Sequence, residues 1–162
     1  MRATGALSPL AVTPAMREWS ASHLGGTGDG TGDELDRLRE LQAALAGPGP
    51  RALAEVSEPT PSAAEAFARR RADCVGFAFL FVALSREAGI GSRFALSPAV
   101  EQVDERGTLR IARRHLAATY AGHVFDLGGE SALDPARHQV ITDRTALALF
   151  FSNRGAQGLA AG

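Results

Sequence analysis

Residues 73–89 read DCVGFAFLFVALSREAG. Asp73 is a residue type that caps the start of a helix, and Gly89 one that ends it. Between them, Val75 to Leu84 is apolar on almost every side. A helix from Cys74 to Ala88 therefore has no polar face to offer water and must lie buried near the centre of the molecule. The chain ahead of it also reads helical. Thr13-Pro14 is an N-cap followed by proline at the first helical position, opening a helix to about Leu24. Asp33 caps a second helix whose Leu35, Leu38, Leu41 and Leu45 recur at helical spacing, and Gly47-Pro48-Gly49-Pro50 ends it. Ser62 and Glu65 form a capping box for a short third helix through Arg70. Residues 25–32, GGTGDGTG, have the composition of a flexible linker.

Beyond Gly89 the period changes from helical to alternating. Arg93 to Val100 predicts a strand, with Glu105-Arg106-Gly107 as a turn candidate. Thr108–Tyr120 and His123–Leu127 predict two strands joined at Ala121-Gly122. Residues 128–137 read as an irregular loop. Thr142 or Asp143 starts a last helix over roughly 144–160. Helices, then antiparallel strands, then a helix imply an α+β fold rather than a doubly wound one. The expected architecture is a set of N-terminal helices, a central buried cysteine-bearing helix on a small antiparallel sheet, and a C-terminal helix. At 162 residues the whole chain, 1–162, is expected to form a single domain.

Composition narrows the function classes. Hydrophobic residues make up 45% and charged residues 22%, which fits a soluble globular protein. Basic and acidic groups number 17 and 18, so nothing pulls the chain toward nucleic acid or an anionic membrane. No apolar run approaches the ~18 residues a membrane span needs. No signal peptide is evident, so a cytoplasmic location is expected unless a leader has been removed. One cysteine excludes an intrachain disulfide and a multi-cysteine metal site. No histidine pair has ligand spacing on one helix, so neither metal nor cofactor is expected. Every basic residue is arginine, which excludes lysine chemistry.

The chemistry concentrates on Cys74. A thiol in a first helical turn faces unpaired N–H groups and the positive end of the helix dipole, and both favour the thiolate that attacks acyl carbon. Asp73 opposes this by like charge unless its side chain is consumed as the cap. The plainer alternative is a small buried apolar residue. A nucleophile needs a base, and the base an orienter. His23, beside the linker, and His138, after Asp134-Pro135, are expected to be solvated. A two-residue turn at Ala121-Gly122 sets Tyr120 opposite His123 and Ala117 opposite Asp126. His115 and Asp126 then share a face as diagonal neighbours, roughly 7–8 Å apart at the backbone, while His123 points to the other face. A slip of one residue reverses this. Taken alone, His115 reads as a half-buried, satisfied histidine and Asp126 as a turn residue.

Arg69-Arg70-Arg71 and Arg110, Arg113 and Arg114 read as solvated faces. The alternative is a cluster that attracts acidic substrate. Gly128-Gly129 permits a sharp exit from the strand. Leu147, Phe150 and Phe151 on the last helix form an apolar stripe through which copies of the chain could self-associate.

RRRADCVGFAFLFVALSREAGIGSRF (69–94) resembles the cysteine motif of the transglutaminase-like superfamily, whose apolar helix ends in arginine-x-x-glycine-isoleucine. RHLAATYAGHVFDLGG (114–129) resembles that family's histidine strand, short turn and aspartate strand. LAVTPAMREW and TPSAAEAFARRRADC are similar to the helices that precede the cysteine in bacterial members. ALALFFSNRGAQGLAAG resembles a segment that in some members leads into tetratricopeptide helices, which would make 144–162 the start of a truncated helical repeat. The family often carries glycine or an asparagine-like residue before the cysteine, where this chain has Ala72-Asp73. The resemblance implies a papain-like site with Cys74 as nucleophile, His115 as base and then acid, and Asp126 holding the imidazole. It implies acyl transfer on peptide or amide bonds of a protein or peptide substrate, through a thioester taken up by water or an amine. The Cys74 N–H is one oxyanion donor. Gln42, Gln102, Gln139, Gln157 and Trp19 are candidates for the second by chemistry alone. The opposing readings are a catalytically inactive papain-like scaffold serving as a protein-interaction module, and a purely structural helical adaptor.

Overall fold

The computed structural model describes residues 8–25, 31–56, 59–106 and 109–161. Helix α1 (Pro14–His23) is capped by Thr13, whose hydroxyl accepts the Met16 N–H. Helix α2 (Thr31–Ala46) starts two residues before the expected cap at Asp33. Asp33 and Glu34 instead occupy its first turn, where carboxylates favour the positive end of the helix. The linker expected over 25–32 thus yields its last two residues to α2, and 26–30 lie outside the described residues. Strands β1 (Ala54–Glu55) and β2 (Arg71–Ala72) form a small parallel pair on either side of α3 (Ala63–Arg69) in the chain. The Ser62–Glu65 capping box opens α3.

Helix α4 (Cys74–Glu87) is the expected centre. Every residue from Val75 to Ser85 is buried. Gly89 stops the helix at φ +80°, a conformation glycine adopts without steric cost. Phe81 stacks on Phe125 at 4.9 Å, and Phe79 meets Phe94 at 4.9 Å and Phe150 at 5.2 Å. One apolar helix therefore joins the sheet to the last helix, α5 (Asp143–Ala161).

The main sheet comprises β3 (Arg93–Arg106), β4 (Leu109–Tyr120), β5 (His123–Asp126), β6 (Gly129–Ala132) and β7 (Gln139–Ile141). All its pairings are antiparallel, in the order β6-β5-β4-β3-β7. The α+β architecture is thus as the sequence implies. Three details differ. β3 continues to Arg106, well past Val100, because residues 100–106 pair with 109–114 in the outer half of a long hairpin. Gly107 of the expected turn lies outside the described residues. The loop expected over 128–137 contains β6, an exposed edge strand of Gly, Glu, Ser and Ala that is specified by its ladder with β5. The third difference is β7, a three-residue edge strand against β3. Among the described residues no helix is long and apolar enough to cross a membrane.

Candidate active site

The head of α4 fixes Cys74. Asp73 is buried and caps the helix, its Oδ1 accepting the Gly76 N–H at 2.7 Å. Its Oδ2 accepts the Thr60 hydroxyl at 2.5 Å. The segment carrying Thr60 can come this close because residue 76 is glycine. A Cβ there would stand 2.6 Å from Cγ of Pro61. The acidic neighbour of Cys74 is therefore consumed as a cap, the condition under which it ceases to work strongly against a thiolate.

The hairpin of β4 and β5 fixes the other two residues. Ala121 (φ +46°) and Gly122 (φ +81°) both take the left-handed conformation, as a type I′ turn requires, and Tyr120 pairs with His123. This is the expected register, and it sets His115 and Asp126 on one face. His115 also lies where the β3–β4 ladder breaks. Leu96 pairs with Leu116 and Val100 with Arg114, so residues 97–99 of β3 oppose His115 alone. Pro98 sits in this bulge and has no N–H to give the ladder. Such bulges re-aim side chains beside functional sites. Here Ser97 and Pro98 form one wall of an open cleft of about 580 Å³, with His115, Asp126, Arg137 and His138 also lining it.

His115 Nε2 and Asp126 Oδ2 are 2.8 Å apart. The backbone diagonal of ~7–8 Å is thus spanned by the two side chains. Asp126 is itself pinned. Its Oδ1 accepts the Gly128 N–H at 2.7 Å, and its backbone carbonyl accepts Nε2 of the buried Gln42 at 2.6 Å. Cys74 is half-buried, and its side chain acts on the His115 ring. The Asp126 hydrogen bond, and after it the Cys74 side chain, push the imidazole up to about 10 against the opposing effect of burial. Burial works to raise the Asp126 carboxyl. The bond and charge of His115 and the amides of Gly128 and Gly129 outweigh it and hold the group below its ordinary 3.8. The ring is thus imidazolium at neutral pH, and a cation beside sulfur is the arrangement that stabilises a thiolate.

The other histidines have other partners. His123 Nδ1 lies 2.7 Å from Glu130, which Arg39 also holds. His23 stacks on Trp19 at 4.5 Å and bonds its carbonyl. His138, expected to be solvated, is half-buried and lines the cleft with Arg137. Arg137 ends, and His138 follows, a loop without periodic signal, and only the fold brings them to the cleft. Arg69, Arg70, Arg71, Arg110 and Arg114 are exposed, as solvated faces are. Of the candidate oxyanion donors, Gln42 engages the Asp126 carbonyl, Gln157 binds Thr60, and Trp19 is buried. Gln139 is exposed on β7, and the side chain of Gln102 lies outside the described residues. Among the described residues no three histidine, cysteine, aspartate or glutamate side chains are grouped to hold a metal ion.

The model of the transglutaminase-like superfamily core matches residues 25–126, which run from the segment before α2 to the carboxylate on β5. The match covers more than half of the chain, and the chain belongs to the transglutaminase-like superfamily. No curated protein matches it. Among solved structures, a crystal structure of a candidate cysteine protease from Cytophaga hutchinsonii is similar at 15% identity and a TM-score of 0.44. That likeness covers 83% of this chain and 50% of the other, so this chain spans half the length of that protein.

Proposed function

We propose that this protein is a cysteine hydrolase or acyltransferase that cleaves peptide or amide bonds of a protein or peptide substrate through a thioester. In this reading the Cys74 thiolate attacks the carbonyl carbon. The Cys74 N–H, at the helix start, donates to the oxyanion. His115 gives its proton to the leaving amine as the carbon–nitrogen bond breaks, leaving an acyl thioester and a neutral imidazole. Water or an amine then gives a proton to His115 as it attacks the thioester, and the thiolate leaves. Asp126 holds the ring in orientation and balances its charge in the protonated stages. One observation carries the reading: an imidazole held by a carboxylate, whose charged form is favoured by that carboxylate and by the side chain of a cysteine at a helix start.

The reading is tested with p-nitrophenyl acetate, a small activated ester that makes no demand on specificity. A stoichiometric burst of p-nitrophenol should accompany acetylation of Cys74, detected by peptide mass. Burst and adduct should vanish in Cys74→Ala and fall sharply in His115→Ala. A folded wild-type protein that shows neither would leave the interaction-module reading in its place.

A further inference from the structure

Three buried side chains tie α5 to the head of α4. Gln157 accepts the Thr60 N–H on Oε1 at 2.9 Å and donates from Nε2 to Thr60 Oγ1 at 3.1 Å. Thr60 Oγ1 donates to Asp73 Oδ2 at 2.5 Å, and Asp73 Oδ1 accepts the Gly76 amide at 2.7 Å. Thr60 is fully buried, and Asp73 and Gln157 nearly so. The direction of the chain follows from its donors. An amide nitrogen only donates, so Gln157 occupies a lone pair of the Thr60 oxygen and sends the single hydroxyl proton toward the carboxylate. Asp73 precedes Cys74 in the chain, and its negative charge, left loose, would oppose a thiolate one residue away. Charge-assisted bonds from Thr60 and Gly76 draw that charge away from the sulfur and lock the carboxylate in its capping position.

We infer that Gln157 and Thr60 are positioning residues for Cys74, holding Asp73 as a cap so that a thiolate can exist beside a carboxylate. The inference rests on the proposed reading of Cys74 as the nucleophile. Gln157 lies beyond the residues that the superfamily model matches, so this chain's last helix takes part in its reactive centre.

The test is the rate of Cys74 alkylation by iodoacetamide across pH in the full chain, with each variant checked for folding by circular dichroism. Thr60→Val keeps shape and removes the hydroxyl. Its rate near pH 6.5, relative to its own rate near pH 9.5, should fall about fivefold against wild type, the size of one hydrogen bond's typical net contribution. Thr60→Ser restores the hydroxyl and should restore the profile. Gln157→Glu replaces the donor by an acceptor, draws the Thr60 proton away from Asp73 and should reproduce the Thr60→Val profile. Wild-type profiles in Thr60→Val and Gln157→Glu would overturn the inference. Should Thr60→Val not fold, a wild-type profile in Gln157→Glu alone would overturn it. If wild-type Cys74 is unreactive in the native protein, or indifferent to His115→Ala, the nucleophile reading itself fails and the inference goes with it. That outcome is visible before any Thr60 variant is made.

Discussion

Asparagine at position 126 keeps the size and acceptor oxygen of the aspartate and removes its charge. In a Cys74→Ala background the thiol no longer titrates, and the Asp126→Asn change then measures the pairing of the His115 imidazole with its carboxylate. Two unit charges 2.8 Å apart attract by about 6 kcal/mol at an effective dielectric of about 20. Burial opposes ionisation of both partners, so the net is smaller. The rise of His115 from 6.5 to about 10 corresponds to about 5 kcal/mol, with Asp126 the larger contributor and Cys74 the next. About 3 kcal/mol is therefore expected from the pair alone, as an order of magnitude. The signs set the pH window. His115 has a raised pKa when folded, so its contribution is complete below 6.5 and is lost as pH rises toward 10. Asp126 has a lowered one, so its contribution is complete above 3.8 and is lost as pH falls through its folded value. Urea unfolding near pH 6 should favour the Cys74→Ala protein over the double variant by that amount, and the gap should narrow toward pH 10 and again below pH 4. A gap that stays constant across this range would refute the charge pairing.

Gly76→Ala drives a Cβ to 2.6 Å from the Pro61 ring, so urea unfolding should show a loss of about 1–3 kcal/mol, and an unchanged midpoint would refute the close approach. Ala121→Gly relieves a left-handed φ of +46° and should stabilise the hairpin by about 0.5–1 kcal/mol, raising the melting temperature by a few degrees. A lower melting temperature would contradict the turn assignment. Phe79→Ala empties a fully buried site between Phe94 and Phe150, and chemical denaturation should show a loss of about 3–5 kcal/mol. A loss under about 1 kcal/mol would mean that the helix is not the centre of the core.

The sequence carried the central helix because its signals agree: a capping aspartate, an apolar run and a terminal glycine. The Ala121-Gly122 hairpin was legible for a similar reason. A two-residue turn ending in glycine between alternating segments leaves one register, and that register selected His115 over His123. The partners of the site were not legible in this way. β6 is built of Gly, Glu, Ser and Ala and owes its conformation to pairing with β5. The bulge at 97–99 arises where two strands of unequal length meet, a relation absent from either strand alone. Gln42 and Gln157 lie far in sequence from the residues they hold. Only packing makes Gln42 a clamp on Asp126, and Thr60 and Gln157 a brace for Asp73.

The sulfur of Cys74 and the ring of His115 are expected to behave as one unit. Iodoacetamide offered to the native protein at neutral pH measures this directly. Wild-type Cys74 should alkylate at least about tenfold faster than Cys74 in folded His115→Ala, since removal of the imidazolium withdraws the charge that favours thiolate. Equal rates in the two proteins, or a thiol that reacts only after unfolding, would contradict the account.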